Sequence, residues 1–233
     1  MRRLGIVVVA LLASLSASSA WAQNRYCDAG DFVEQALDKG AAVYRVASPK
    51  AFFHNRSSAL CSGAKPDCPI KSYLVAKDRV LVADIQDGWA CAWYQSPKTR
   101  FTAGWLRVAD LTKEATPATP LGWLGDWSFG DNSQISITRD KDGGLHVGGD
   151  TVNTGRASMP SGGFEGDLRV DGSAGFYSDY DPAEAARYKA QFPGEREPNP
   201  CTVKFRRVDR YLIANDSSAC SGMGATFMGV YTR

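Results

Sequence analysis

The 233-residue sequence carries 27 basic and 25 acidic side chains, a formal net charge of +2. This surplus is too small to form the basic surface that a nucleic-acid-binding protein needs to neutralise phosphates. Arg2 and Arg3 belong to an N-terminal segment without acids, and the rest of the chain holds 25 residues of each sign.

The N-terminus has the three-part layout of a secretory signal peptide. After the basic start, residues 4–15 are apolar, and a small polar segment then ends on Ala20-Trp21-Ala22. An apolar run of this length reaches about 18 Å as a helix, short of the ~30 Å hydrocarbon core of a membrane. We therefore predict a signal peptide over residues 1–22, cleavage near Ala22, and a periplasmic or secreted protein without membrane insertion.

The next 90 or so residues predict one helix followed by short strands. Asp28 or Asp31 is a suitable N-cap, and Gly40 is a suitable stop. The predicted strands cover residues 42–46, 72–75, 79–85, 88–94 and 102–108. In the fourth strand Cys91 and Trp93 share one face, and alternation predicts that only one face is buried.

These strands resemble bacterial SH3-like domains. Residues 71–80 read Lys-Ser-Tyr-Leu-Val-Ala-Lys-Asp-Arg-Val, residues 87–89 read Asp-Gly-Trp, and residues 102–106 read Thr-Ala-Gly-Trp-Leu. The resemblance covers about residues 42–111. It implies a small antiparallel β-barrel that serves exported proteins as a binding module for cell-wall material or protein partners.

Residues 112–121 are rich in Thr, Ala and Pro and predict a linker between a domain of residues 23–111 and a domain of residues 122–233. In the second domain, Asp181 and Pro182 begin a predicted helix that ends near Phe192. The predicted strands cover residues 134–138, 145–147, 163–170, 174–178, 201–207, 211–214 and 225–231. The sequence thus predicts a mainly β protein with two small antiparallel barrels, the second a seven- or eight-stranded barrel or sandwich, and one short helix in each.

The second domain, over about residues 122–233, resembles a β module of proteobacterial envelope proteins. The resemblance is carried by its terminal hairpin, residues 211–233. Residues 220–233 read Cys-Ser-Gly-Met-Gly-Ala-Thr-Phe-Met-Gly-Val-Tyr-Thr-Arg, with Ser221 in place of the first glycine of that pattern. The module is sometimes found beside lysozyme-inhibitor domains of the LprI type. The resemblance therefore implies an envelope protein, and it assigns no functional residues.

Six cysteines, an even number in an exported chain, predict three disulfides. The second domain contains only Cys201 and Cys220, which we predict to pair. The first domain has four cysteines and three possible connectivities, of which we favour the pairs Cys61–Cys68 and Cys27–Cys91. No Cys-x-x-Cys motif is present, so a metal site is not predicted.

The sequence contains no complete catalytic motif. Ser62-Gly63-Ala64-Lys65 matches a bare Ser-x-x-Lys but lacks the other motifs of penicillin-binding enzymes. His146 lies in a predicted strand, where a packed side chain is the simpler interpretation. Residues 140–144, Asp-Lys-Asp-Gly-Gly, start like a calcium loop, but the later acidic ligands are missing, so we predict a hairpin turn. We predict neither catalytic nor metal-binding residues and no cofactor.

Binding is the remaining activity. Aromatic side chains of the first domain and a loop over residues 156–164 of the second are candidate partner-binding elements. The candidate residues are Tyr94, Phe101, Trp105, Arg156, Met159, Ser161 and Phe164. We predict an exported non-catalytic protein that inhibits, or gives immunity to, a cell-wall-degrading enzyme such as a lysozyme or a secreted toxin. The alternative is an accessory module that binds peptidoglycan or sugar.

Overall fold

The computed structural model is mainly β, with two antiparallel sheets and two short helices. It describes residues 26–56, 61, 67–96, 100–115, 122–155, 158–197, 199–220, 222 and 224–233. The predicted signal peptide, its cleavage site, the Ser-x-x-Lys motif, Arg156 and the second half of the predicted linker lie outside these residues. Within the described part of the chain, no helix has the length and apolar character needed to cross a membrane.

The first helix, α1 (Ala29–Lys39), starts and ends where its sequence predicts. The Asp28 side chain accepts a hydrogen bond from the Asp31 backbone N–H (2.9 Å), and the Asp31 carboxylate accepts one from the Asp28 N–H (3.1 Å). This reciprocal capping satisfies two N–H groups that a helix start leaves unpaired. Gly40, at a φ of 90°, ends the helix in a conformation that other residues rarely adopt.

The first sheet is a half-barrel of seven strands, counted over the described residues, in the order β3-β2-β6-β5-β4-β1-β7. The strands are β1 (Ala42–Val46), β2 (Lys50–Asn55), β3 (Cys68–Val75), β4 (Arg79–Gln86), β5 (Trp89–Gln95), β6 (Phe101–Arg107) and β7 (Leu111–Lys113). Strands β2 and β7 were not predicted. Strand β7 pairs with β1, so Thr112 and Lys113 belong to the sheet and not to the linker predicted from Thr112 onwards.

The second sheet has nine strands in the part of the chain described, one or two more than predicted. They are β8 (Gly125–Phe129), β9 (Ser133–Arg139), β10 (Leu145–Val152), β11 (Ser161–Asp167), β12 (Arg169–Asp171), β13 (Ala174–Ser178), β14 (Thr202–Val208), β15 (Tyr211–Asp216) and β16 (Gly229–Thr232). Helix α2 (Pro182–Gln191) lies between β13 and β14 in sequence, as predicted, with Asp181 as its N-cap.

The nine strands form an up-and-down meander whose last strand returns to its first. Strand β16 pairs with both β15 and β8, and the ladder is interrupted only between β11 and β12 among the described strands. The Tyr177 hydroxyl, on β13, donates to the Glu165 carbonyl of β11 (3.1 Å) next to this gap. The result is a nearly closed barrel, which leaves few exposed strand edges.

The three predicted disulfides are all present. They are Cys27–Cys91, which ties the residue before the N-cap of α1 to β5, Cys61–Cys68, and Cys201–Cys220. The favoured pairing in the first domain is therefore confirmed. Three disulfides are typical of proteins that fold outside the cytoplasm.

Both faces of the first sheet are buried, which corrects the prediction that only one would be. Ala90, Ala92 and Leu106 face the inside of the half-barrel, with a core of small and branched side chains. Cys91 and Trp93 face the other way and pack against α1. Alternation within β5 is as predicted, but the second face is covered by parts of the chain that a local pattern does not reveal.

Helix α1 lies between the two sheets. Phe32 and its apolar neighbours on the helix are buried against Trp93 and Trp105 of the first sheet. The same cluster includes Ile213 and Val230, which lie on β15 and β16 of the barrel. Arg206 of β14 also donates a hydrogen bond to the Leu37 carbonyl in the last turn of the helix. One hydrophobic cluster therefore joins the two halves.

The barrel has its own core, which is filled by aromatic rings, and two arginine side chains close one end of it. Trp127 is fully buried, and the guanidinium carbons of Arg207 and Arg233 each lie 4.1 Å from its ring centroid. Both arginines donate to the Gly122 carbonyl. Burial, and then the nearby charge of Arg233, lowers the pKa of Arg207 to about 10. The C-terminal arginine thus helps to close the barrel.

Candidate functional site

A groove lined by both halves of the protein is the strongest candidate site. Its volume is about 410 Å³, and we call it the junction groove. Its lining includes Phe101 of β6, Phe129 at the end of β8, and Asn132, Asn153 and Thr154 of the barrel. Phe101 comes from the first sheet and the others from the second, so the groove exists only because the halves pack together.

The apolar side of the junction groove is held rigidly. The Phe101 ring stacks on Trp93, with ring centroids 4.3 Å apart and planes 7° apart, and it is 42% exposed. Phe129 lies 5.5 Å from Phe101. A Cβ at Gly229 would come within 2.8 Å of the Phe129 ring, so glycine is needed for that ring to lie across β16. The exposed phenyl ring is therefore presented on a fixed aromatic base.

The polar side of the groove is the start of the loop between β10 and β11. The Asn132 side-chain amide donates to the Thr154 hydroxyl (2.9 Å), and the Asn153 side-chain amide donates to the Gly224 carbonyl (2.5 Å). The Asn153 backbone N–H donates to the Pro160 carbonyl (2.8 Å) and closes the loop at its base. These bonds order the described part of the loop before any partner binds.

Of the six predicted partner-binding residues that the structure describes, three are exposed, two are buried and Tyr94 is half-buried. The exposed ones are Phe101, Met159 in the loop between β10 and β11, and Ser161 directly after that loop. Trp105 and Phe164 are buried, at 1% and 7% exposure, so their prediction as contact residues is wrong.

Each correction has a physical reason. Trp105 is covered by α1, and the ring of Phe164 points into the barrel, where it meets Phe227 edge-on at 4.7 Å. Tyr94 is half-buried against the inner core of the first sheet, and burial raises its pKa. The predicted loop over residues 156–164 is in part strand, since Ser161 begins β11.

A second feature of the first sheet is a cationic aromatic cluster around Trp89. The guanidinium carbons of Arg107 and Arg56 lie 5.1 and 5.5 Å from the Trp89 ring centroid. The His54 ring lies 4.7 Å from the same ring. Burial, and then the charge of Arg107, lowers the pKa of His54 and so favours its neutral form. The cluster combines a half-buried ring with two cations.

A second cleft, of about 320 Å³, lies at the junction, and its charged side chains hold the two halves together. Arg79 of β4 donates to the Glu114 carboxylate and to Asp209 of the barrel, 2.7 and 2.8 Å away. The Glu114 hydrogen bond raises the pKa of Arg79, and the same bond lowers that of Glu114. Because these charges satisfy one another across the two halves, we assign the cleft a structural role.

The six cysteines and His146 each have a partner in the structure. All six cysteines are disulfide-bonded, so none offers a thiolate nucleophile. The side chain of His146 is 32% exposed on the outer face of the barrel, which corrects the prediction of a packed side chain. Its hydrogen-bond partner is Glu165, at 3.1 Å.

Several contributors to these sites were not singled out from the sequence, among them Phe129, Asn132, Arg56 and Arg107. The one local signal in the sequence that could have pointed to Phe129 is an aromatic residue followed by glycine at the end of a strand. Comparison of the chain with protein-family models, curated proteins and solved structures gives no significant match. The resemblances to SH3-like domains and to the envelope β module therefore stay predictions.

Proposed function

We propose that the protein is an exported, non-catalytic binding protein that inhibits a cell-wall-degrading enzyme or toxin by holding one of its surface segments in the junction groove. The observation that carries this proposal is the groove, with an exposed phenyl ring on one side and hydrogen-bonding side chains on the other. An apolar side chain of a partner fits against Phe101 and Phe129, while amide and hydroxyl groups bond its backbone.

The side chains of the groove are ordered before a partner binds, and this favours inhibition. A partner that binds a preformed surface loses less conformational entropy than one that must order a flexible loop. The stacked ring of Phe101 and the bonded side chains of Asn132 and Asn153 are preformed in this sense. The three disulfides support folding in an oxidising compartment, where cell-wall-degrading enzymes act.

The test is a titration of purified cell-wall hydrolases with the protein, with hydrolysis of peptidoglycan as the readout. We expect a saturating loss of activity near one-to-one stoichiometry for a hydrolase that it inhibits. Phe101→Ala should weaken inhibition at least about tenfold, because an exposed anchor of this kind carries much of an interface energy. Phe176→Ala is the matched control, since Phe176 is a similarly exposed phenylalanine on β13.

The cationic aromatic cluster favours a second candidate function, an accessory module that binds peptidoglycan. An aromatic ring stacks on a sugar, and arginine binds the carboxylates that peptidoglycan carries. In this case the protein cosediments with purified peptidoglycan, leaves the tested hydrolases active, and loses binding in Arg107→Gln but not in Phe101→Ala. Release of soluble fragments from peptidoglycan by the protein alone would contradict both proposals.

A further inference from the structure

A group of potential metal ligands comes together on the barrel, from three segments that are separate in sequence. Asp140 follows the last residue of β9, His146 lies on β10 and Asp167 ends β11. One ligand atom of each side chain lies within 4.8 Å of the other two. Sequence reasoning treated Asp140 as part of a turn and His146 as a packed side chain, and it did not consider Asp167.

The sheet holds these side chains in register. His146 and Asp167 are directly opposite in the ladder of β10 and β11, so their side chains project from the same face. Two backbone hydrogen bonds fix the turn after Asp140: its N–H donates to the Gly144 carbonyl (3.1 Å), and its carbonyl accepts from the Gly143 N–H (3.0 Å). Neither strand ladder nor turn has to change for a bound ion.

The two ring nitrogens of His146 face different carboxylates. Nε2 lies 3.1 Å from the Glu165 carboxylate, within hydrogen-bond distance. Nδ1 lies 3.9 Å from the Asp140 carboxylate, which is too long for a hydrogen bond but leaves room for an ion between the two atoms. A metal-binding histidine usually donates its other N–H to a carboxylate, which fixes its tautomer and orientation. Glu165 is placed to play this part.

We propose that Asp140, His146 and Asp167 bind a first-row divalent transition ion of the Zn²⁺ class, with Glu165 as a positioning residue. One imidazole and two carboxylates suit such an ion at metal–ligand distances of about 2.0–2.2 Å. Calcium is disfavoured because it takes six to eight oxygen ligands, and imidazole is not among the ligands it prefers. The site lies outside the junction groove and does not depend on the function proposed above.

Calorimetric titration of the purified protein, freed of any affinity tag, with Zn²⁺ alone tests the site. We expect one ion per chain, with a thermal unfolding midpoint that rises with Zn²⁺ concentration. His146→Gln and Asp167→Asn should each reduce affinity more than about a hundredfold. Glu165→Gln should reduce it about ten- to a hundredfold, as loss of a positioning carboxylate does. Nitrogen NMR should show that the resonances of the His146 ring nitrogens shift as Zn²⁺ is added.

Two matched variants and one ion separate this site from nonspecific binding. His54→Gln removes the other histidine of the chain and Asp171→Asn removes an exposed carboxylate of β12, and both should keep full Zn²⁺ affinity. The far-ultraviolet spectrum checks that every variant is folded. The proposal is wrong if His146→Gln binds Zn²⁺ normally, if Ca²⁺ binds as tightly as Zn²⁺, or if no saturable binding occurs below about 1 mM.

Discussion

The two sheets solve the problem of burying a core in different ways. The barrel encloses its own aromatic cluster, which includes Trp127, Phe205 and Tyr231, and all members of that cluster come from residues 123–231. The half-barrel encloses mainly small and branched side chains, and Phe53 is the one large ring among the buried members of its inner cluster. Its large rings, Trp93 and Trp105, face outwards.

Those outward rings depend on cover from α1 and the barrel. Helix α1 contributes Phe32 and Val33 to the shared cluster, and the outer face of the barrel contributes Ile213 and Val230. A closed sheet buries one face by itself, whereas a half-barrel with two apolar faces needs a second layer. We therefore expect the barrel to hold its structure without the first half, and the first half to depend on the junction.

The largest effects that test this asymmetry are expected from two phenylalanine-to-alanine substitutions, one in each half. Phe32→Ala and Phe205→Ala should each lower the free energy of unfolding by about 3–5 kcal/mol, because both rings are buried. Hydrogen exchange should show that Phe32→Ala loosens the first sheet alone, while Phe205→Ala loosens both. Equal loss of protection in both halves of the Phe32→Ala protein would contradict the asymmetry.

Removal of disulfides should give the next largest effects. Cys27–Cys91 closes 64 residues and Cys201–Cys220 closes 19, so loop entropy assigns them about 4 and about 3 kcal/mol. The two double serine variants, compared by denaturant unfolding, serve as controls for each other. We expect loss of the first to loosen α1 and the first sheet alone, and loss of the second to loosen the barrel and, with it, the first sheet. Loosening of the barrel on loss of Cys27–Cys91 would contradict the asymmetry.

The ion pair across the junction should contribute less. Arg79 and Asp209 are 26% and 22% exposed, so a double-mutant cycle with Arg79→Met and Asp209→Asn should give a coupling below about 1 kcal/mol. Asparagine tolerates the positive φ of residue 209 and keeps the turn. The coupling should fall as salt rises. A coupling unaffected by salt would mean that the guanidinium acts mainly through packing.

The smallest effects near neutral pH should be in how the stability of the two halves depends on pH. The two dependences should have opposite signs. The pKa of His54 is below its ordinary value of 6.5, so the unfolded chain binds a proton first and the first half loses stability as pH falls below 6.5. Burial raises the pKa of Tyr231, so the barrel keeps its full stability below the ordinary tyrosine pKa of about 10 and loses it as pH rises further.

The matching variants are His54→Gln and Tyr231→Phe. Thermal unfolding across the pH range should show a flatter acid limb for the first and a flatter alkaline limb for the second. An acid limb that keeps its slope in His54→Gln would assign the titration to another group.

Features with a local cause were predictable from the sequence. The caps of α1 and α2, the turn after Arg139 and the pair Cys201–Cys220 depend on residues close together or on a choice of one partner, and the structure confirms them. Strand β2 was missed because three consecutive apolar residues from Ala51 hide its alternation. Strand β10 was predicted too short because Gly148 and Gly149 look like a break in the strand. In the structure Gly149 instead leaves space for the Phe164 ring, since a Cβ at 149 would come within 2.4 Å of that ring.

Only the tertiary structure decided which residues are available to bind a partner. The sequence determined that Trp105 and Phe164 are large and apolar, and the packing of α1 and the closure of the barrel decided that they are buried. The junction groove joins Phe101 to Asn153, and the proposed metal site joins Asp140 to Asp167, in each case across folded strands. Periodicity describes only neighbouring residues, so it predicts which face of a strand is apolar and not what covers that face.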